Sequence, residues 1–182
     1  MTSQVLEHDW FPYPLPENVV LDPRAWLYSS FAFLHYRSRQ QPGLSVGHDT
    51  GIYNGTFFDL GPSGEVVIGN FCTIVGGVFA TNGRVEIGDY SFLAHEVVLA
   101  EDAFAAPWEP ENARAVERRP RIRLGENVWI GARSVLLGEV EIGDGSVIGA
   151  ASVVRGNIPP GTIYAGNPAR QIGVVGRRQR QP

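Results

Sequence analysis

The sequence predicts an all-β fold, a parallel β-solenoid wound as a triangular prism, and three observations predict it. An aliphatic residue followed by Gly or Ala returns at six-residue steps, at Ile87-Gly88, Leu93-Ala94, Leu124-Gly125, Ile130-Gly131, Ile142-Gly143 and Ile148-Gly149, with weaker copies at Val46-Gly47, Ile52, Ile68-Gly69 and Ile74. That step matches neither the period of about 3.6 of a helix nor the plain alternation of a longer strand. Glycine is in excess, 22 of 182 residues, where an average chain carries roughly 7%.

Each six-residue unit therefore reads as a short strand plus a turn. Three units close a coil of 18 residues, as from Ile130 to Ile148. The aliphatic residue points to the axis, and the small residue after it lets the chain round a corner without a clash. A right-handed β-solenoid and a Gly-rich sandwich are both disfavoured by the fixed step.

The rest of the chain is justified around this repeat as one domain over 1–182. Residues 1–39, rich in aromatics and prolines (Trp10, Phe11, Pro12, Tyr13, Pro14, Pro16), are expected to cap the open end, as an exposed strand edge requires. The repeat occupies 40–101 and 122–160. Between them, 102–121 breaks it with Pro107, Trp108, Pro110 and Pro120. This segment is expected to be an excursion loop with a short helix from Pro110 to Arg119. Residues 161–182 form a C-terminal segment ending in a basic tail, Arg177, Arg178 and Arg180.

Composition narrows the function. With Lys+Arg 15 against Asp+Glu 19 the net charge is -4, which gives no electrostatic reason to bind nucleic acid or an anionic membrane. The N-terminus has no basic n-region followed by an apolar run, and no stretch reaches the ~18 apolar residues of a membrane span. A soluble cytoplasmic protein is expected. The one cysteine, Cys72, permits no internal disulfide and is expected to be a small buried residue.

Counting in sixes places a site. With the excursion treated as replacing most of one unit, Leu93, Ile130 and Ile148 share a face. The residues two places on, His95, Ala132 and Ala150, then form one column, with Gly76 one coil earlier. A histidine thus stands in a track of small residues whose backbone is accessible, suited to a long, thin, amide-bearing ligand such as pantetheine.

The run Leu124 to Arg170, including NIPPGTIYAGNPAR, resembles the C-terminal half of the galactoside, maltose, serine and xenobiotic acetyltransferases of the hexapeptide-repeat family. The resemblance implies a left-handed parallel β-helix, a homotrimer with sites between neighbouring prisms, and acetyl-CoA or another acyl-CoA as co-substrate. It also implies cofactor contacts at Gly131, Ala132 and Ala150, and a place near the CoA for Arg155 and Arg170. In those relatives the general-base histidine falls where this chain has Phe104 or Ala105, neither of which accepts a proton. The stretch Leu93-Ala94-His95-Glu96-Val97 instead resembles the Ile-Ala-His-Asp or Ile-Ala-His-Asn segment of the lipid A acyltransferases, where that histidine is the base.

His95 is therefore the expected catalytic base, with Glu96 a candidate to orient it if a corner turns between them. Transfer from a thioester to a hydroxyl or amine needs a base that titrates near neutrality, which imidazole supplies. Backbone N–H groups of Gly76 or Gly131 are candidate oxyanion donors. Asn82, Asp102 and Trp108 are candidates for the acceptor, a sugar, nucleotide sugar or amine, with Asn54 and Glu101 nearby. Two other readings stand beside this one. One is a prism without catalysis that serves binding or assembly. The other is metal chemistry like that of the γ-class carbonic anhydrases, disfavoured because His35, His48 and His95 do not cluster; no metal is expected.

Overall fold

The computed structural model describes residues 6–9, 14–101 and 121–176. Asp102, Phe104, Ala105, Trp108, the helix expected from Pro110 to Arg119, and the basic tail from Arg177 lie outside the described residues.

The chain forms a left-handed parallel β-helix. One face is a stack of short parallel strands, Trp26–Leu27, Gly51–Ile52, Thr73–Ile74, Phe92–Leu93, Trp129–Ile130, Val147–Ile148 and Thr162–Ala165, closed by the antiparallel strand Arg170–Val174. The other strands form a ten-stranded sheet that wraps the remaining two faces. The strand Val135–Ile142 shows how. Its start pairs with Val98–Ala100 on one face and its end with Arg121–Leu124 on the other. It rounds the edge between them at Gly138, whose φ of 81° is open to glycine without penalty.

The inward residues fill the prism as the repeat requires. Ile52, Ile74, Leu93, Ile130 and Ile148 stack in register from coil to coil and are fully buried. On the next face Phe33, Phe58 and Phe79 stack ring on ring, with centroids 5.5 and 4.9 Å apart, and Leu99, Leu136 and Val154 continue the column. Ion pairs of Arg84 with Glu65 and Glu86, and of Arg121 with Glu86, lace the outside of the opposite face.

The ladder starts earlier than the motif does. Val19–Leu21 pairs parallel with Leu44–Val46, and Trp26–Leu27 with Gly51–Ile52, so part of the segment expected as a cap is itself a coil. Leu21, Leu27 and Phe33 keep the six-residue step, but Asp22, Tyr28 and Leu34 follow them in place of Gly or Ala. Cys72 is buried, its thiol donating to the carbonyls of Asn70 and Gly88, and burial pushes that thiol up from its ordinary range.

Candidate active site

Two edges of the prism are built from the same repeat and finished differently. On one edge the residue two places after the inward aliphatic is Asn70, Asp89 or Asp144, and each side chain caps the coil before it. The Oδ1 of Asn70 accepts the N–H of His48 at 3.0 Å, that of Asp89 accepts Asn70 N–H at 2.8 Å, and that of Asp144 accepts Glu126 N–H at 2.9 Å. The Asp89 carboxyl lies below its usual range, because the backbone and side-chain N–H groups of Asn70 both donate to the ionised form.

On the other edge the equivalent residues are Gly76, His95, Ala132 and Ala150. The register expected for them holds, since Ile74, Leu93, Ile130 and Ile148 pair in sequence. A methyl group cannot accept a hydrogen bond. Among the described residues the amides of Gly76, His95, Ala132 and Ala150 accordingly have no partner, and neither does the Gly131 carbonyl. The coils stay joined here through other groups, with Arg133 N–H donating to the His95 carbonyl at 2.9 Å and Ala151 N–H to the Ala132 carbonyl at 2.8 Å.

A groove of about 340 Å³ runs along this edge. Its floor is Ala94, Gly131, Ala132, Gly149 and Ala150, and its wall is Phe92, Trp129 and Val147. Trp129 is 55% exposed and meets Phe92 edge to face at 5.8 Å. A mostly apolar channel with unpaired amides on its floor suits a chain of methylenes interrupted by amides. The wall residues carry a signal legible in the sequence: each precedes an inward aliphatic, at a position where an outward polar residue is usual.

His95 is exposed one coil from Ala132, and its imidazole has no hydrogen-bond partner among the described residues. Glu96 occupies the corner with φ 59°, and its Oε2 accepts from Arg133 Nε at 2.8 Å. The Gly131 N–H is committed to the Ile148 carbonyl at 2.8 Å. It is therefore not an oxyanion donor, which leaves Gly76 of the two glycines considered.

The remaining sequence-derived residues are spread over the prism. Asn82 sits on a different edge from His95, where its Oδ1 accepts Ser63 N–H at 2.7 Å and holds that turn. Glu101 accepts from the Thr81 hydroxyl. Arg155 is exposed on the strand Val153–Ile158, beyond the corner that follows Ala150. Arg170 is exposed and paired in register with Ala165, at the C-terminal end of the face that carries the groove. His48 is hydrogen-bonded to Asp49 through Nδ1. No group of three metal-ligating side chains gathers among the described residues, and no described helix is long and apolar enough to cross a membrane.

Comparison with known proteins agrees with this geometry. The family model described as bacterial transferase hexapeptide (six repeats) matches residues 121–156. A chloramphenicol acetyltransferase of Morganella morganii is 30% identical over 148 residues, which span 73% of this chain and 68% of that protein. The galactoside O-acetyltransferase of Escherichia coli (strain K12) is 33% identical over 137 residues, 75% of this chain and 66% of that one. Among solved structures, a variant of AntD, an N-acyltransferase from Bacillus cereus in complex with dTDP and coenzyme A, superposes with a TM-score of 0.61 at 25% identity, covering 89% of this chain and 84% of that chain. With the six-residue register, the left-handed prism and the open groove beside His95, these likenesses place the chain in the hexapeptide-repeat acetyltransferase family, as an acyltransferase.

Proposed function

We propose that this chain transfers an acyl group, acetyl in the first instance, from coenzyme A to a hydroxyl or amine of a sugar or nucleotide sugar, within a trimer. The observation that carries the reading is the edge at which Ala132 and Ala150 leave their amides unpaired beside the His95 imidazole. Pantetheine lies along the floor from Ala150 toward Ala94, its amides meeting the free N–H groups and the Gly131 carbonyl. Arg170, at the end of the same face, and Arg155 are the cations available to its phosphates.

The thioester then arrives at the level of His95. The acceptor oxygen or nitrogen attacks the carbonyl carbon while His95 takes its proton. The oxyanion meets the free N–H of Gly76. Collapse expels CoA sulfur, which takes the proton back from the imidazolium, so the histidine is restored and no covalent enzyme intermediate is needed. Glu96 acts on this site through its ion pair with Arg133, which braces the corner that carries His95. The nucleotide sugar is favoured as acceptor by the relatives: AntD is solved with dTDP, and a putative lipopolysaccharide biosynthesis O-acetyl transferase of Escherichia coli (strain K12) is 35% identical over 97 residues, 48% of this chain and 49% of that one.

The test is release of free CoA thiol from acetyl-CoA across a panel of sugars, nucleotide sugars and amines. Transfer is expected to fall about 100- to 10,000-fold in His95→Ala, with CoA affinity and melting temperature unchanged. Transfer that survives His95→Ala undiminished removes the histidine as base. CoA binding without transfer to any acceptor leaves a binding or assembly prism in place of an enzyme.

A further inference from the structure

Past His95 the same edge continues toward the N-terminal end, through Gly76 and Asn54 to Ser29, because Ile74, Ile52 and Leu27 stack in register beneath Leu93. There it opens into a second pocket of about 290 Å³, separate from the groove that holds the CoA track. Its walls include His8, Tyr28, Tyr53, Asn54 and Thr56. Tyr28 stacks on His8 with centroids 4.1 Å apart and planes 16° from parallel, and Tyr53, 43% exposed, leans on Trp26 at 4.8 Å.

One wall atom is out of place for a repeat protein. Four inward hydroxyls at other corners each donate to a carbonyl, Thr50 to Gly69, Ser91 to Gly125, Ser134 to Gly149 and Ser146 to Pro159, whereas the buried hydroxyls of Ser30 and Thr56 have no partner, and of these two Thr56 lines the pocket. Thr56 is only 4% exposed, and its hydroxyl has no partner. The cause is visible in the register. The coil above reaches its next inward residue in five steps, from Ile74 to Phe79, where the coils at Ile52 and Leu93 take six. A corner one residue short does not present the acceptor that a full repeat would. A hydroxyl left unpaired when buried is unfavourable, and Thr56 is among the residues that line the open pocket. The Asn54 side chain beside it is exposed and has no partner among the described residues.

The geometry points to this pocket as the seat of the non-reacting end of the acceptor, and to a pyrimidine base as its occupant. This inference rests on the acyl-transfer reading and names the class of acceptor. Aromatic walls favour a flat π system. A carboxamide presents one donor and one acceptor side by side, matching the adjacent carbonyl oxygen and N–H on the edge of a uracil-type base, and the Thr56 hydroxyl meets the base's second exocyclic carbonyl oxygen. Asn54 lies two coils from His95, roughly 10 Å at the spacing of parallel strands. A base held there directs its attached sugar toward the imidazole. Gly76, without a side chain, leaves the way between them open: a Cβ there would already touch the Asn54 carbonyl at 3.4 Å.

The experiment is calorimetric titration of the full chain, saturated or not with CoA, with uridine monophosphate, 4-nitrophenyl galactoside and galactose. Uridine monophosphate is expected to bind, with affinity falling about 10-fold or more in Tyr53→Ala and in Thr56→Val, while CoA affinity stays constant. Thr56→Val is also expected to melt no lower than the parent, since its hydroxyl makes no bond in the fold. A drop in melting temperature gives Thr56 a structural role and overturns its assignment to the ligand. Failure of the nucleotide to bind a chain that still binds CoA overturns this inference and leaves acyl transfer standing. Equal binding of the aryl galactoside overturns the pyrimidine and keeps a ring pocket. Loss of CoA binding as well overturns the underlying reading.

Discussion

Replacing Gly131 by alanine tests whether the groove is built by coil-to-coil contact. A Cβ at Gly131 would lie 2.5 Å from the Ala150 nitrogen and 2.8 Å from both Ala150 Cα and Gly149 C. All three are backbone atoms of the neighbouring coil, so no rotamer relieves the overlap and the coils themselves must part. Overpacking of this kind costs about 1–3 kcal/mol. Parting the coils also weakens the hydrogen bond from Gly131 N–H to the Ile148 carbonyl, worth about 1 kcal/mol. Together they predict a loss of about 2–4 kcal/mol, a fall in melting temperature of roughly 5–15 °C for a chain of this size. CoA affinity should fall as well, because Ala132 and Ala150 lie on either side of the opened contact. Gly145→Ala is the control. Its Cβ would meet nothing within 4 Å, but its φ is 65°, so it loses only about 1 kcal/mol of stability to backbone strain and should leave CoA binding intact. Thermal unfolding followed by circular dichroism, with CoA titration of each variant, measures both effects. If Gly131→Ala melts with the parent, or Gly145→Ala costs as much, the steric reasoning is wrong.

Two further outcomes follow from the opposite edge and the core. The Asp89 carboxyl is depressed by the donors of Asn70, so its contribution to stability is complete above its unfolded value of about 3.9 and is lost as pH falls through the lower native value. Asp89→Asn should therefore melt below the parent at neutral pH, with the difference narrowing as pH drops from about 5 toward 3; a difference independent of pH would show that the charge plays no part. Phe58, fully buried between Phe33 and Phe79, should cost about 3–5 kcal/mol when cut to alanine. The loss should fall first on the N-terminal coil, read as faster amide exchange over 19–33 than over 122–158; uniform exchange would refute that order.

The aliphatic residues with Gly or Ala behind them make the central register legible in the sequence, because each such pair meets two requirements at once, an inward side chain and a corner with room for only the smallest residues. His95 was placed by that register, and its neighbours in the column are those the count gave. The first coil escaped because only one requirement survives there. Leu21, Leu27 and Phe33 keep the step of six, but Asp22, Tyr28 and Leu34 stand where Gly or Ala marks the later coils. The second pocket escaped for a related reason. It arises from a deletion, the short corner from Ile74 to Phe79, and from contacts among His8, Tyr28 and Tyr53 that are distant in sequence. Nor does sequence spacing disclose which amide a hydrogen bond has already claimed: the Gly131 N–H donates to the Ile148 carbonyl, while that of Gly76 has no partner among the described residues.

What separates the two edges is a single chemical choice repeated along the prism. Where Asn70, Asp89 and Asp144 follow the corner glycine by one residue, each coil caps the one before it and the edge is satisfied within the fold. Where Ala132 and Ala150 occupy the same place, no side chain among the described residues caps the amides, and the edge is left with donors open to solvent or a ligand. Exchanging Ala for Asx at those positions would transfer the self-capping of one edge to the other. Ala132→Asn is accordingly expected to cap the His95 amide, raising the melting temperature while it blocks CoA. A variant that gained stability and still bound CoA normally would mean that the cofactor lies on another face.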